Sequence, residues 1–344
     1  MPKLRSLVAE EQGFNLVEFM VSTLVTLIVL GETVGALSHA LRANESVTLL
    51  ADSNQNLRAG TNFLSRDLLQ AGTGIPTGGI PIPSGNGSVP IKRPSPPGLA
   101  YTFPTDLGVL PAVTPGAGLG PVVNGRNTDI ITLLYADPSL ALSQAPLAAI
   151  APDGSNMTVA AGTPINDPSN RILPGDLIMF SNAVGNAIQE VTRTDGQRVF
   201  FEATDISRLN QPNAPEGTIL LLQSSPGVFP PTTATRITMV TYYIDTTTEA
   251  GIPRLVRRVN HNPGRSLAGT METLDLSYDL VDGVTNPTRV KVPVAPNTPH
   301  QIRKVNLHLG VRSDVESSQS DRFLRNQVNT QVSLRSLAFV DRYR

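Results

Sequence analysis

The chain has 344 residues, 40% of them apolar and 16% charged, enough to bury one large core or two small ones. A formal net charge of −1 gives no electrostatic ground for nucleic acid or an anionic surface as the main partner. The sequence contains no cysteine, which excludes disulfides, thiol nucleophiles and cysteine metal sites, so packing alone has to hold the fold.

The first thirteen residues are polar, with Lys3 and Arg5 followed by Glu10 and Glu11, and they end in Gly13. From Phe14 the chain is apolar to Leu30 and, more loosely, to Leu37. As a helix, residues 14–38 would span roughly 36 Å, enough for a hydrocarbon core with some tilt. Glu18 interrupts this run. A carboxylate at mid-bilayer costs about 3 kcal/mol, which marks it as functional unless something pairs with it. A secretory signal fits poorly, because two acidic residues stand directly before the apolar stretch. A plain single-pass anchor leaves Glu18 without a role. Gly31 and Gly35 form a small-xxx-small pair that lets a second helix approach closely, or else mark a soft point, since Gly is a poor helix former.

The stretch Gly13-Phe14-Asn15-Leu16-Val17-Glu18 resembles the type IV prepilins and their pseudopilin relatives. In those proteins a polar leader ends in Gly, Phe usually follows, and the fifth residue after the cut is Glu; Asn15 stands in the usual Thr position. The resemblance implies a leader of residues 1–13 removed by a prepilin peptidase on the cytoplasmic face, and N-methylation of Phe14. It also implies that Glu18 meets the freed amino group of a neighbouring subunit. A positive amine is an apt partner for a carboxylate in a low-dielectric helix bundle. Lys3 and Arg5 agree with a cytoplasmic N-terminus and a head outside the cytoplasm.

No proline occurs between Pro2 and Pro76, so the helix meets no hard breaker and is expected to run to Gln70. Past the apolar run, Val47, Leu50, Leu57, Thr61, Leu64 and Leu68 share one face, which predicts packing on a globular head. Ala71-Gly72 stops the helix, and Gly74 and Pro76 prevent its resumption. The long helix thus covers residues 14–71. Residues 72–121 are dense in Pro, Gly and Ser and read as a connector that wraps the surface or stays mobile. Gly116, Gly118 and Gly120 fail the dinucleotide fingerprint, because Pro121 sits where the third glycine belongs.

Residues 122–344 read as a β-rich head. Strands are expected over Asp129–Tyr135, Leu177–Phe180, Val199–Glu202, Ile219–Leu222 and Arg236–Asp245. Two-residue alternation is cleanest in Leu274–Leu280, Val305–Val311 and Val328–Leu334, the mark of half-buried antiparallel strands. Asp195-Gly196 and Asp282-Gly283 supply turn chemistry. The end of the helix, Asn62-Phe63-Leu64-Ser65-Arg66-Asp67-Leu68-Leu69-Gln70-Ala71-Gly72, is similar to that of PilW-type minor pilins. So, in the same order, are Val240-Thr241-Tyr242-Tyr243-Ile244-Asp245, Pro253-Arg254-Leu255-Val256-Arg257-Arg258 and Val305-Asn306-Leu307-His308-Leu309-Gly310-Val311.

No catalytic constellation emerges. His39, His261, His300 and His308 show no metal-helix spacing, and there is neither a nucleophile elbow nor a phosphate loop. Turn formation accounts for Asp153-Gly154-Ser155-Asn156 and Asp279 to Asn286 better than weak calcium binding. Arg254, Arg257, Arg258 and Arg265 read as an exposed strand face. The expectation is an α+β, pilin-like protein that is not an enzyme and has no metal or cofactor. The resemblance implies a PilW-like minor pilin in the inner membrane and then in the fibre or its tip. Its partners would be major and minor pilins, the prepilin peptidase, the inner-membrane assembly platform and the bilayer. A type II secretion pseudopilin and a membrane-anchored adhesin stay open as alternatives.

Overall fold

The computed structural model describes residues 15–338 except Thr105, Ala141 and Ala250. Helix α1, Leu16–Gln70, has 55 residues, a length of about 83 Å at 1.5 Å per residue. Asn15 precedes it in extended conformation. At its far end the Ala71 N–H donates to the Asp67 and Leu68 carbonyls. Gly72 and Gly74 then adopt positive φ, which turns the chain onto the sheet, where the Gly72 N–H reaches the Leu134 carbonyl at 2.8 Å.

The head is built from antiparallel sheets. Its principal strands are β1 (Ile131–Asp137), β2 (Leu177–Ser181), β3 (Asn186–Glu190), β4 (Thr233–Asp245), β5 (Arg254–Val259), β6 (Arg265–Ala268), β7 (Met271–Leu280), β8 (Ile302–Ser317) and β9 (Arg322–Ser333). The larger sheet has seven strands and runs β3-β2-β4-β5-β6, with β1 also on β4 and Val113–Thr114 beyond it. Its spine is β4, which pairs with β2 through residues 233–237, with β5 through 240–245 and with β1 through 236–242. Because β1 overlaps both other partners, β2 and β5 must share one edge of β4 in succession. Asn260 closes the gap between them. Its N–H donates to the Met239 carbonyl at 2.7 Å, its Oδ1 accepts the Met239 N–H at 3.1 Å, and its Nδ2 donates to the Gly175 carbonyl.

The second sheet is β7-β8-β9. Its buried Leu274, Leu276, Tyr278, Val305, Leu307 and Leu309 join Leu57, Leu64 and Leu68 of α1 and Leu133, Tyr242 and Leu255 of the larger sheet in one core. The opposite face of the larger sheet is apolar as well: Leu134, Leu177, Met179, Ile237 and Met239 lie there. Near-continuous apolar runs in β1 and β4 are what a sheet covered on both sides requires.

The Pro/Gly-rich segment provides that second cover. It wraps the surface in two-residue strands, as a proline-dense chain must, yet it buries Ile80, Ile82, Ile91, Phe103 and Leu110 against the sheet. Arg93 pins it. Its Nε donates to Thr132 Oγ1 at 3.0 Å and its terminal nitrogens donate to the Pro115 and Thr114 carbonyls at 2.8 Å. Burial without a carboxylate lowers the Arg93 pKa to about 10. The reading as a connector or mobile loop therefore missed a core-forming role, because isolated isoleucines between prolines carry no periodic signal.

Three further expectations change. Ile219–Leu222 is a 3₁₀ turn, not a strand; Ile219 and Leu222, three apart, are buried while Leu221 is 51% exposed, which is the period of that helix. Asp282-Gly283 does not join a two-residue hairpin but opens the long loop to β8, where Asp282 Oδ1 accepts the N–H groups of Val284, Thr285 and Asn286. On α1, Val47 is 65% and Leu50 38% exposed, so close packing begins nearer Ser53 than expected. The Asp195-Gly196 turn does join a hairpin, Arg193–Asp195 to Arg198–Phe200, with Gly196 at positive φ.

Candidate functional site

The helix divides at about residue 45. Below that point large apolar side chains face outward, with Leu16 74%, Phe19 64% and Leu27 63% exposed, and the stretch is long and apolar enough to cross a membrane. Glu18 lies three residues after Asn15 and accepts its backbone N–H at 3.2 Å, a local cap that leaves the rest of the carboxylate open. A Cβ placed on Gly31 or Gly35 would meet nothing within 4 Å, so whatever close approach the pair permits lies outside this chain. Gly13 and Phe14 lie outside the described residues.

Above residue 45 the helix is seated by polar contacts spaced along it. Glu45 accepts the Ser318 hydroxyl, Ser46 Oγ meets Ser317 Oγ at 3.2 Å, Ser53 Oγ donates to the Arg312 carbonyl at 3.2 Å, and Asn54 Oδ1 accepts Asn326 Nδ2 at 2.5 Å. Gly60 sits so close to β5 and β7 that an added Cβ would lie 3.0 Å from Leu255 Cδ2.

The last turn carries the strongest link. Asp67 accepts from Arg257 Nε at 2.6 Å and from the Tyr242 hydroxyl at 2.6 Å through Oδ2; Oδ1 lies 3.3 Å from the Arg257 terminal nitrogen and 3.4 Å from the Tyr135 hydroxyl. One helix side chain thereby ties itself to β1, β4 and β5. The Asp67 and Arg257 side chains are 7% and 25% exposed. Burial raises the Tyr135 phenol to about 12, helped by the Asp67 charge, and drives Tyr242 in the same direction. Burial works against the Arg257 cation, but the hydrogen bonds and charge of Asp67 outweigh it and hold its proton more firmly than usual.

The arginine group expected on an exposed face is mostly engaged within the head. Arg254 pairs with Glu249, Arg257 with Asp67, and Arg258 donates to the carbonyls of Ser95, His261 and Asn262; Arg265 is exposed. Sequence reasoning passed over Asp67 as a functional residue. The available signal was a lone acid among Leu64, Leu68 and Leu57 on the buried face of the helix, which demands a cationic or hydroxylic partner.

Two hollows on the head bear on the site, one lined by polar and apolar surface in about equal measure and one mainly polar. One, of about 430 Å³, opens beside the clamp between Arg66, Arg257 and Arg265. The other, of about 660 Å³, lies on the outer face of β7-β8-β9, where Asn306 Nδ2 and Gln331 Nε2 both donate to Asp279 at 2.8 Å and His308 Nδ1 meets Asn329 Oδ1 at 2.7 Å. Among the described residues no group of three or more His, Asp or Glu is arranged to hold a metal ion. His261 and His300 are held below their ordinary pKa by burial.

A long apolar N-terminal helix, bare over its first half and packed against antiparallel sheets over its second, is a pilin-like architecture. No protein-family model, curated protein or solved structure matches the chain.

Proposed function

We propose that this chain is a PilW-like minor pilin that acts in type IV pilus assembly, in the priming or tip complex, by helix bundling and head contacts and not by catalysis. The observation that carries the reading is a single rigid helix whose outer half is apolar, unpartnered and interrupted by Glu18, while its inner half is locked to a head. A bare apolar helix is stable only in lipid or among like helices. Moving from one to the other gains nothing from hydrophobicity, so close packing and a satisfied carboxylate have to drive it. On this reading the protein is held in the inner membrane with the head outside the cytoplasm, is cut after Gly13 and methylated on Phe14, and then joins major and minor pilins at the assembly platform.

The test is the mass of the mature N-terminus. A chain beginning at N-methylated Phe14 supports the reading, and one that keeps residues 1–13 or is cut beyond Glu18 overturns it. Loss of fibres or of twitching on deletion supports pilus use; a secretion defect with normal fibres supports the pseudopilin alternative, which shares the same N-terminus.

A further inference from the structure

The hollow of about 430 Å³ beside the clamp holds unbalanced positive charge. Arg66, Arg257 and Arg265 line it, and Asp67 is the single carboxylate among the lining residues. Arg257 commits Nε and one terminal nitrogen, Nη2, to Asp67 and to the Tyr135 hydroxyl, at 2.6, 3.3 and 3.2 Å, and leaves Nη1 with no hydrogen bond among the described residues. Arg66 on the helix and Arg265 on β6 are exposed and have neither a hydrogen bond nor an ion pair among the described residues. Asp67 does not serve them, because it is engaged by Arg257 and Tyr242. The other walls are apolar: Phe63, 44% exposed, with Val259 and Leu267 half-buried. β6 is also the last strand of the larger sheet, with no strand paired to its outer edge among the described residues, so its outward backbone groups stay open to an added strand.

We infer that this hollow binds an acidic segment of a partner protein, extended along β6, with a carboxylate on the uncommitted donors of Arg66, Arg257 and Arg265 and an apolar side chain against Phe63 and Leu267. A guanidinium recognises a carboxylate through paired N–H donors, and three guanidinium groups with one counter-charge between them favour an anion. The apolar walls and the open strand edge select a peptide, which supplies an anion, a hydrophobic side chain and backbone partners together. A small inorganic anion would balance the charge and leave Phe63 and Leu267 uncovered. Nucleic acid calls for a basic track along its backbone, whereas here three arginines meet in one hollow on a chain of net charge −1. Lipid headgroups are out of reach of the hollow, since the helix rises about 42 Å between residues 38 and 66 and charge is screened over about 8 Å. The hollow belongs to the head, so filling it is independent of cleavage at Gly13 and of entry into a fibre.

The probe is a fluorescein-labelled hexapeptide with blocked termini, Thr-Val-Glu-Glu-Val-Thr, titrated with the full chain in detergent and read by anisotropy, with blank micelles as baseline. Whichever face of the extended peptide meets the hollow, it presents one Glu and one Val. Saturable binding is expected, weaker at least tenfold with Gln in both Glu positions, and severalfold with Ser in both Val positions or on raising salt from about 50 to about 500 mM. Arg66→Gln and Arg265→Gln should each weaken it severalfold at an unchanged Tm, and Arg66→Lys and Arg265→Lys should retain more of it than the Gln variants. Arg198→Gln, which removes an exposed arginine from a different sheet, should leave it at the parent level. No saturable binding up to about 100 μM chain, equal binding of the Gln peptide, or parent-level binding by the double variant Arg66→Gln with Arg265→Gln overturns the site. Equal binding of the Ser peptide, or displacement by inorganic phosphate as effective as by unlabelled peptide, means a small-anion site and overturns the peptide as occupant. Tighter binding of a deoxythymidylate dodecamer than of the peptide overturns it in favour of nucleic acid. A mature chain that begins at Phe14 and binds no peptide leaves the pilin reading standing and removes the site, and peptide binding by a chain that keeps residues 1–13 does the reverse.

Discussion

Replacing Asp67 by Asn tests how the long helix is held to the head. The substitution keeps shape and an acceptor for the Tyr242 hydroxyl but leaves the Arg257 cation without its counter-charge. Breaking one side of a fully buried pair costs about 3–5 kcal/mol, and here the Arg257 side chain is 25% exposed, so water recovers part of the loss; about 2–3 kcal/mol is expected. Arg257→Met should cost more, because it strands Asp67, whose side chain is only 7% exposed. At roughly 2–4 °C per kcal/mol for a head of this size, Asp67→Asn should lower Tm by about 4–12 °C. The assay is urea and thermal unfolding of the full chain in detergent, followed by tyrosine fluorescence and circular dichroism. The double variant should fall short of the sum of the singles by about 1–2 kcal/mol. Additive effects, or single effects within about 0.5 kcal/mol of zero, the usual range of surface positions, would refute the clamp.

Four shorter expectations follow from the same geometry. Gly217→Ala should destabilise by at least about 2 kcal/mol, since φ is +67° and the new Cβ would lie 1.9 Å from the Ile82 carbonyl oxygen; a Tm within 2 °C of the parent, by the same rough scale, would show that the Pro/Gly segment is not pinned there. The Tyr135 phenol is raised to about 12, so its folded form stays neutral where the unfolded one ionises; stability should be flat below pH 10 and fall between 10 and 12, less steeply in Tyr135→Phe. His261 is held below 6.5 by burial, so its contribution is present above pH 6.5 and lost as pH falls through its folded value; His261→Gln should flatten that slope in urea titrations at stepped pH. If the proposed pilin function holds, Glu18→Ala should spare membrane insertion and cleavage while reducing incorporation into fibres severalfold, and incorporation at the parent level would sink the proposed pairing role of Glu18.

The buried helix face and the larger part of the sheet assignment were legible in the residues themselves. From Phe14 to Ala71 no proline breaks the chain and its apolar residues suit a helix throughout, while the strict alternation in β7, β8 and the second half of β9 suits half-buried strands, because both patterns arise from short-range backbone geometry. The carboxylate at Glu18 is likewise visible without a structure, since its cost is set by its apolar neighbours in sequence.

What no local pattern carries is a contact between residues far apart in the chain. Asp67 and Arg257 are 190 positions apart; the helix face marks Asp67 as needing a partner, but only the packing of α1 across β1, β4 and β5 decides that Arg257 is that partner. The same holds for Ile80, Ile82 and Ile91, whose proline-broken surroundings look like loop until the far face of the larger sheet is there to bury them. Sequence alone determined that this protein has a long apolar helix with an acid in it and a β-rich body, because helix and strand periods are short-range. The tertiary structure decided where the helix is gripped and where it stays bare, because burial is a property of the whole fold.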